Sequence, residues 1–239
     1  MAGQIEVGSP LGLHLSALAA DSSVAVIWDV GTWSGFGTTL CLQMGMAVRK
    51  TPTELFTIEA NRERCAVARE NWRLFQEMFH KKAVSPLSPY ADLAKLLTKQ
   101  KKKSVPSTKH IYGRVADRMM SDGEILSHPL FLNIKEHWKL HGADEKADFE
   151  AAPKLVLPAP DLVVLDGGEF SGYYDWVVVK ELNPRFIAMD DTRLMKNSRA
   201  LQEALVAGWR IVASGEDRNG WAVLERISPE RLQENLDSK

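Results

Sequence analysis

The chain has only two cysteines in 239 residues, Cys41 and Cys65. Both fall inside apolar helical patterns and read as small core residues, not as a disulfide or a ligand pair. No stretch approaches 18 uninterrupted apolar residues, and the N-terminus lacks a basic region followed by a long apolar core. A membrane span and a secretory leader are therefore not expected, and the expected compartment is the cytoplasm. There is no charge excess either, since 30 Lys and Arg stand against 31 Asp and Glu for a net charge of −1. That balance argues against a general polyanion binder, so nucleic acid is not the expected partner. The six histidines show no metal-ligand spacing. His137 and His141, four apart, read as a polar helix stripe. There is no internal repeat and no linker composition, which predicts one domain over 1–239 and leaves the oligomeric state open.

What is present is an alternation of strand-like and helix-like segments. Ser9-Pro10 signals a helix start. Short apolar runs at about Val24–Asp29, Glu54–Ile58, Lys109–Gly113, Asp161–Leu165 and Arg185–Met189 read as strands covered on both faces. Helical spacing separates them, with Asn61 as a cap for the helix carrying Cys65, Ala68, Trp72, Phe75 and Phe79. Two closing strands, WRIVASG and GWAVLERI, are too close in sequence to pair in any way but antiparallel. The pattern predicts an α/β fold: a doubly wound, Rossmann-like sheet, mostly parallel with an antiparallel C-terminal strand and helices on both faces. Two segments fit less well and read as irregular insertions, about 81–108 and 114–154. In the second, helices are expected near Arg118 and around Leu130–Leu140.

The stretch VIWDVGTWSGFGTT places three glycines in the turn between the first of these strands and the next helix. Such turns lie where α/β sheets bind their ligands. The spacing Gly31-x-x-x-Gly35-x-Gly37 is not the dinucleotide G-x-G-x-x-G, and Trp33 stands where pyrophosphate would approach. No Gly-Lys-Ser/Thr follows, which excludes a P-loop.

The arrangement Asp29-x-Gly31-x-x-x-Gly35-x-Gly37, with Glu59 ending the second strand, resembles the first motifs of the Rossmann-like class I S-adenosylmethionine-dependent methyltransferases. That resemblance implies S-adenosyl-L-methionine as cofactor, held by Asp29, Gly31, Thr32, Ser34, Gly35, Glu59 and Gly113, with Glu59 on the ribose hydroxyls. Asp166 ends the fourth strand and Asp190-Asp191 the fifth, which resembles the metal-dependent sugar O-methyltransferase branch. In that likeness Asp166, Asp190 and Asp191 hold Mg²⁺, and all-oxygen ligands suit such an ion. Asp217, between the last two strands, matches the general base of that branch, so Asp217 and Asp166 are the implied catalytic pair. The implied partner is a small hydroxylated acceptor. Two departures stand out: Leu182-Asn-Pro-Arg185 replaces a Pro-Gly-Gly, and Gly167-Gly168-Glu169 replaces a lysine or histidine after the aspartate.

Other readings compete. The fold could serve as a cofactor-binding module without turnover, or as a nucleic-acid methyltransferase using the run Lys99-Gln-Lys-Lys-Lys103. A solvated helix end is the commoner meaning of such a run. Cephalosporin-hydroxylase-like relatives share the acidic triad, which keeps an oxygenase in view by analogy alone. Tyr173, Tyr174 and Trp176 suit either an acceptor pocket or the inner face of a helix.

Overall fold

A computed structural model describes residues 5–227. Its sheet is built from β1 (Val26–Val30), β2 (Glu54–Glu59), β3 (Thr108–Tyr112), β4 (Leu162–Leu165), β5 (Phe186–Asp190), β6 (Trp209–Gly215) and β7 (Trp221–Arg226). They lie in the order β3-β2-β1-β4-β5-β7-β6, and only β7 runs antiparallel to its neighbours. This is the doubly wound arrangement that the alternating sequence pattern predicts.

Helices start where local chemistry satisfies their free N–H groups. Helix α1 (Pro10–Ala20) opens with Ser9 Oγ accepting from the Gly12 amide at 3.2 Å. Helix α2 (Thr38–Val48) leaves the glycine turn, and α3 (Arg62–His80) is capped by Asn61 Oδ1 accepting from the Arg64 amide at 2.9 Å. Helix α4 (Ala91–Lys99) follows, and the lysine run begins at its end.

The less regular segment 114–154 holds two helices, as expected, though with other bounds: α5 (Asp122–Ser127) and α6 (Phe131–Ala151). Helix α5 starts four residues after Arg118, at a capping box formed reciprocally by Ser121 and Glu124. Helix α6 runs 21 residues, well past Leu140, yet buries only Ile134, Gly142 and Phe149. An apolar stripe that thin gives little periodic signal. The remaining helices are α7 (Gly172–Leu182) and α8 (Met195–Val206).

Alternate strand residues face opposite ways. Trp28, Phe56, Val163 and Ile187 pack on one face with buried residues of α6, α7 and α8. Ile27, Leu55, Val164 and Ala188 pack on the other with α1 and α2. Tyr173, Tyr174 and Trp176 belong to the first core, so they form the inner face of α7.

The chain winds from β1 outward through β2 to β3, then returns to the middle and winds through β4 and β5 the other way. The carboxyl ends of β1 and β4 therefore meet where the winding reverses, the place such sheets leave a crevice. The Asp166 amide donates to the Val30 carbonyl there at 2.9 Å.

Candidate active site

A cavity of about 850 Å³ opens along these strand ends and beneath α6. Glu59, Trp33 and Arg64 line one end, and Asp166, Glu169 and Lys196 line the other.

At the first end the Glu59 carboxylate is fixed by backbone amides. Its Oε2 accepts from Trp33 N at 2.8 Å, and its Oε1 accepts from Asn61 N at 2.9 Å. Burial pushes its carboxyl upward despite these two bonds. Each oxygen keeps a second lone pair for a ligand hydroxyl. Trp33 adopts a left-handed φ of 53°, and the Arg64 guanidinium stacks 3.5 Å over its ring. Gly31 and Thr32 line the cavity beside it. Gly31 has φ +95°, and a Cβ on it would lie 2.0 Å from the Asp166 carbonyl oxygen. Its glycine is required by the close approach of two strand ends.

Four residues of the expected cofactor set do not line this cavity. Asp29 lies one layer beneath it, fully buried, where its carboxylate accepts from Thr38 Oγ1 at 2.7 Å and from Thr39 Oγ1. It clamps the start of α2 to β1, and burial raises its carboxyl to about 6. The Ser34 carbonyl accepts from Asn71 Nδ2 at 3.0 Å. Gly35 (φ +83°) faces His110, Ala68 and Tyr90 on the α3–α4 side. Gly113 packs on Leu155, whose side chain would meet its Cβ at 2.6 Å. These residues shape the turn and its supports and do not form the cavity wall.

At the second end Asp166, Asp190 and Asp191 converge, with ligand-capable oxygens all within 4.8 Å of one another. Adjacent parallel strand ends bring them together, as their positions in the sequence imply. A lysine that the sequence did not single out stands among them. Lys196 Nζ lies 2.9 Å from Asp166 Oδ1 and 2.8 Å from Asp191 Oδ2, with the Gly167 carbonyl at 3.4 Å. Burial alone would lower its ammonium pKa, but the two carboxylates outweigh burial and raise it. Burial likewise works upward on Asp191, where Lys196 and an Asn219 hydrogen bond win and hold it low. Asp190 is 1% exposed, with Arg218 Nη2 at 3.0 Å but no hydrogen bond to either carboxylate oxygen. Burial and its two acidic neighbours push its carboxyl up to about 7.

The donor set is hard oxygen, which suits Mg²⁺, yet the fit fails at the ammonium. A divalent ion would have to share the Asp166 and Asp191 oxygens with a positive charge already hydrogen-bonded to both. The cluster is balanced from within by Lys196 and Arg218.

Asp217 lies between the last two strands as expected, but it does not line the cavity. It is exposed on the β6–β7 turn, and its Oδ1 accepts from Trp221 Nε1 at 2.7 Å. The next two residues turn inward instead: Arg218 toward Asp190, and Asn219 with Nδ2 donating to Asp191 Oδ1 at 2.9 Å. Three acidic groups beyond the expected set, Glu145, Asp148 and Glu169, line the cavity. Burial lifts Glu169 to about 7, and its Oε1 accepts from the Lys196 amide at 3.3 Å. His137 Nε2 lies 2.8 Å from Glu145 Oε1 on α6; His137 and His141 are both exposed with ring centroids 4.9 Å apart, the polar stripe their spacing predicts, and His137 also reaches the cavity.

No known family model matches the sequence, and no curated protein matches it. Among solved structures, cofactor-bound Rv0187 from MTB is similar with a TM-score of 0.51 at 16% identity, over 94% of this chain and 83% of that one. An O-methyltransferase from Bacillus cereus in complex with SAH gives 0.47 at 13% identity, over 91% and 82%. The O-methyltransferase TomG from Streptomyces achromogenes, in complex with SAM, gives 0.45 at 13%, over 94% and 82%. At these identities the likeness is one of fold. The chain shares the fold of Rv0187, a doubly wound seven-stranded sheet with its antiparallel strand near the C-terminus.

Proposed function

We propose that this chain is an S-adenosylmethionine-dependent methyltransferase acting on a hydroxyl oxygen of a small-molecule acceptor. One observation carries the reading: a single cavity at the winding reversal joins the amide-fixed Glu59 carboxylate to a dense polar cluster under α6. When bound, S-adenosylmethionine supplies an electrophilic methyl group on a cationic sulfur.

The residues of the chain then divide the work. Glu59, oriented by Trp33 and Asn61, accepts hydrogen bonds from the ribose hydroxyls. The carboxylates along the wall favour a cationic ligand. Glu169, whose carboxyl burial brings to about 7, takes the acceptor's hydroxyl proton on its own carboxylate. Holding donor and acceptor in line supplies much of the rate, since well-oriented reactions gain about 7–11 kcal/mol. Metal assistance is not part of this mechanism, because the ammonium of Lys196 stands among the carboxylates.

Calorimetry with S-adenosylhomocysteine tests the cofactor half. The parent should bind, and Glu59→Ala should bind about 10- to 150-fold more weakly, the value of about 1.5–3 kcal/mol for hydrogen bonds to a charged group. A parent chain that binds none removes the reading. The catalytic half is tested by Glu169→Gln on a panel of hydroxylated acceptors. Methyl transfer at neutral pH should fall by roughly 10²–10⁴ with S-adenosylhomocysteine affinity retained. An unchanged rate excludes Glu169 as the base.

A further inference from the structure

We propose that Lys196 is the built-in cation of the carboxylate cluster: its ammonium takes the place of a divalent ion between Asp166 and Asp191, and it presents the positive charge and N–H donor to the acceptor oxygen. The last clause rests on the proposed methyl transfer; the replacement of the ion does not.

Helix electrostatics give no reason for a lysine here. Lys196 is the second residue of α8, and a cation in the first helical turn opposes the helix dipole. The surrounding structure nevertheless holds it in place. Asn197 Nδ2 donates to the Leu165 carbonyl at 3.0 Å and to the Asp190 carbonyl at 2.7 Å, tying the start of α8 to the ends of β4 and β5. Gly172 leaves room for the lysine stem, since a Cβ there would fall 2.8 Å from Lys196 Cβ. Asp191 reaches the ammonium from a left-handed φ of 53°. A buried lysine side chain, 7% exposed, is thus aimed between two carboxylates that the strand ends alone would bring together.

Its three N–H donors meet Asp166, Asp191 and the Gly167 carbonyl, and the last contact is long at 3.4 Å. That third donor is the one an acceptor oxygen can take over without disturbing either ion pair. A single ammonium offers one point of contact where a metal ion would chelate two. The acceptor it suits therefore needs one hydroxyl at this position and no vicinal pair.

The experiment is a titration with Mn²⁺ followed by electron paramagnetic resonance. The parent should leave the free Mn²⁺ signal undiminished, with no stoichiometric site. Lys196→Ala should gain one Mn²⁺ per chain, bound at least tenfold more tightly than by the parent, and adding Asp191→Asn should abolish the gain. If Lys196→Ala does not fold alone, refolding in Mn²⁺ should recover it, and Lys196→Gln provides a milder variant for the same titration. One Mn²⁺ per parent chain, lost in Asp191→Asn, would overturn the proposal, as would a folded Lys196→Ala or Lys196→Gln with no gain. Neither titration needs cofactor or turnover, so failure here is distinct from failure of methyl transfer.

Discussion

Gly31→Ala should lower the melting temperature by roughly 10 °C, from two separate causes. A left-handed φ costs a residue with a side chain about 1–2 kcal/mol. The new methyl also meets the Asp166 carbonyl oxygen 2.0 Å away, on a backbone that cannot swing aside. Overpacking of that kind costs about 1–3 kcal/mol. Each kcal/mol shifts the melting point of a 150–250-residue domain by about 2–4 °C. Gly208→Ala separates the two causes. Gly208 has φ +97° with nothing within 4 Å of its Cβ position, so it should show only the conformational cost, a fall of a few degrees. Equal falls in the two variants would mean that the strand ends part easily and that the close approach of β1 and β4 carries no weight. Because the fold itself is strained, Gly31 variants are poor probes of the cofactor contact; Glu59 is the better one.

Asp175→Asn should make the protein more stable at pH 8 and leave it unchanged near pH 4. Asp175 is 3% exposed on α7, and burial raises its carboxyl from 3.8 to about 7 against bonds from the Ala116 amide and Ser171. Between those two values the folded chain keeps a proton that the unfolded chain has lost. Stability is therefore fullest below about pH 4 and falls as the pH climbs to about 7. A shift of that size corresponds to about 4 kcal/mol. Asparagine cannot ionise. Its oxygen can still accept from Ala116 N, at 3.2 Å in the parent, while its NH₂ faces Ser171 Oγ. A gain of about 2–4 kcal/mol is expected at pH 8, read from urea unfolding at several pH values. Taking the difference between parent and variant removes the titration of Asp190 and Glu169, which falls in the same range. A variant less stable than the parent at pH 8 would show that the ionised form is favoured in place.

Much of the fold was legible because buried parallel strands read as short apolar runs, and the three aspartates because each closes such a run. Glu59 was legible for the same reason. What escaped notice had no local signal. Helix α8 begins at Met195, which puts Lys196 in its first turn. A lysine at a helix start has no reason in the sequence around it, since its partners come from residues 166 and 191. On the last turn, neighbouring side chains point in different directions. Spacing alone could not tell Asp217, which binds Trp221, from Arg218 and Asn219, which enter the site. Helix α6 was cut short because its inward face carries Asn133, His137, Glu145 and Asp148, residues that line a cavity and so break an apolar stripe. The capping box of α5, Ser121-Asp-Gly-Glu124, was a signal available in the sequence.

That polar inward face leaves the two halves of the site under different mutational constraint. The Glu59 end is written into the sheet: Gly31 is wedged against the end of β4, Asp29 is clasped by α2, and Glu59 is gripped by two amides. Almost any change there is felt by the whole core. The roof of the cavity is a helix that buries three residues, so positions on it that bind no neighbouring element, unlike Asp148 with its bond from Asn61, tolerate exchange with small penalties in folding. Under the proposed methyl transfer, acceptor preference can accordingly drift among descendants of this chain while the cofactor end stays fixed.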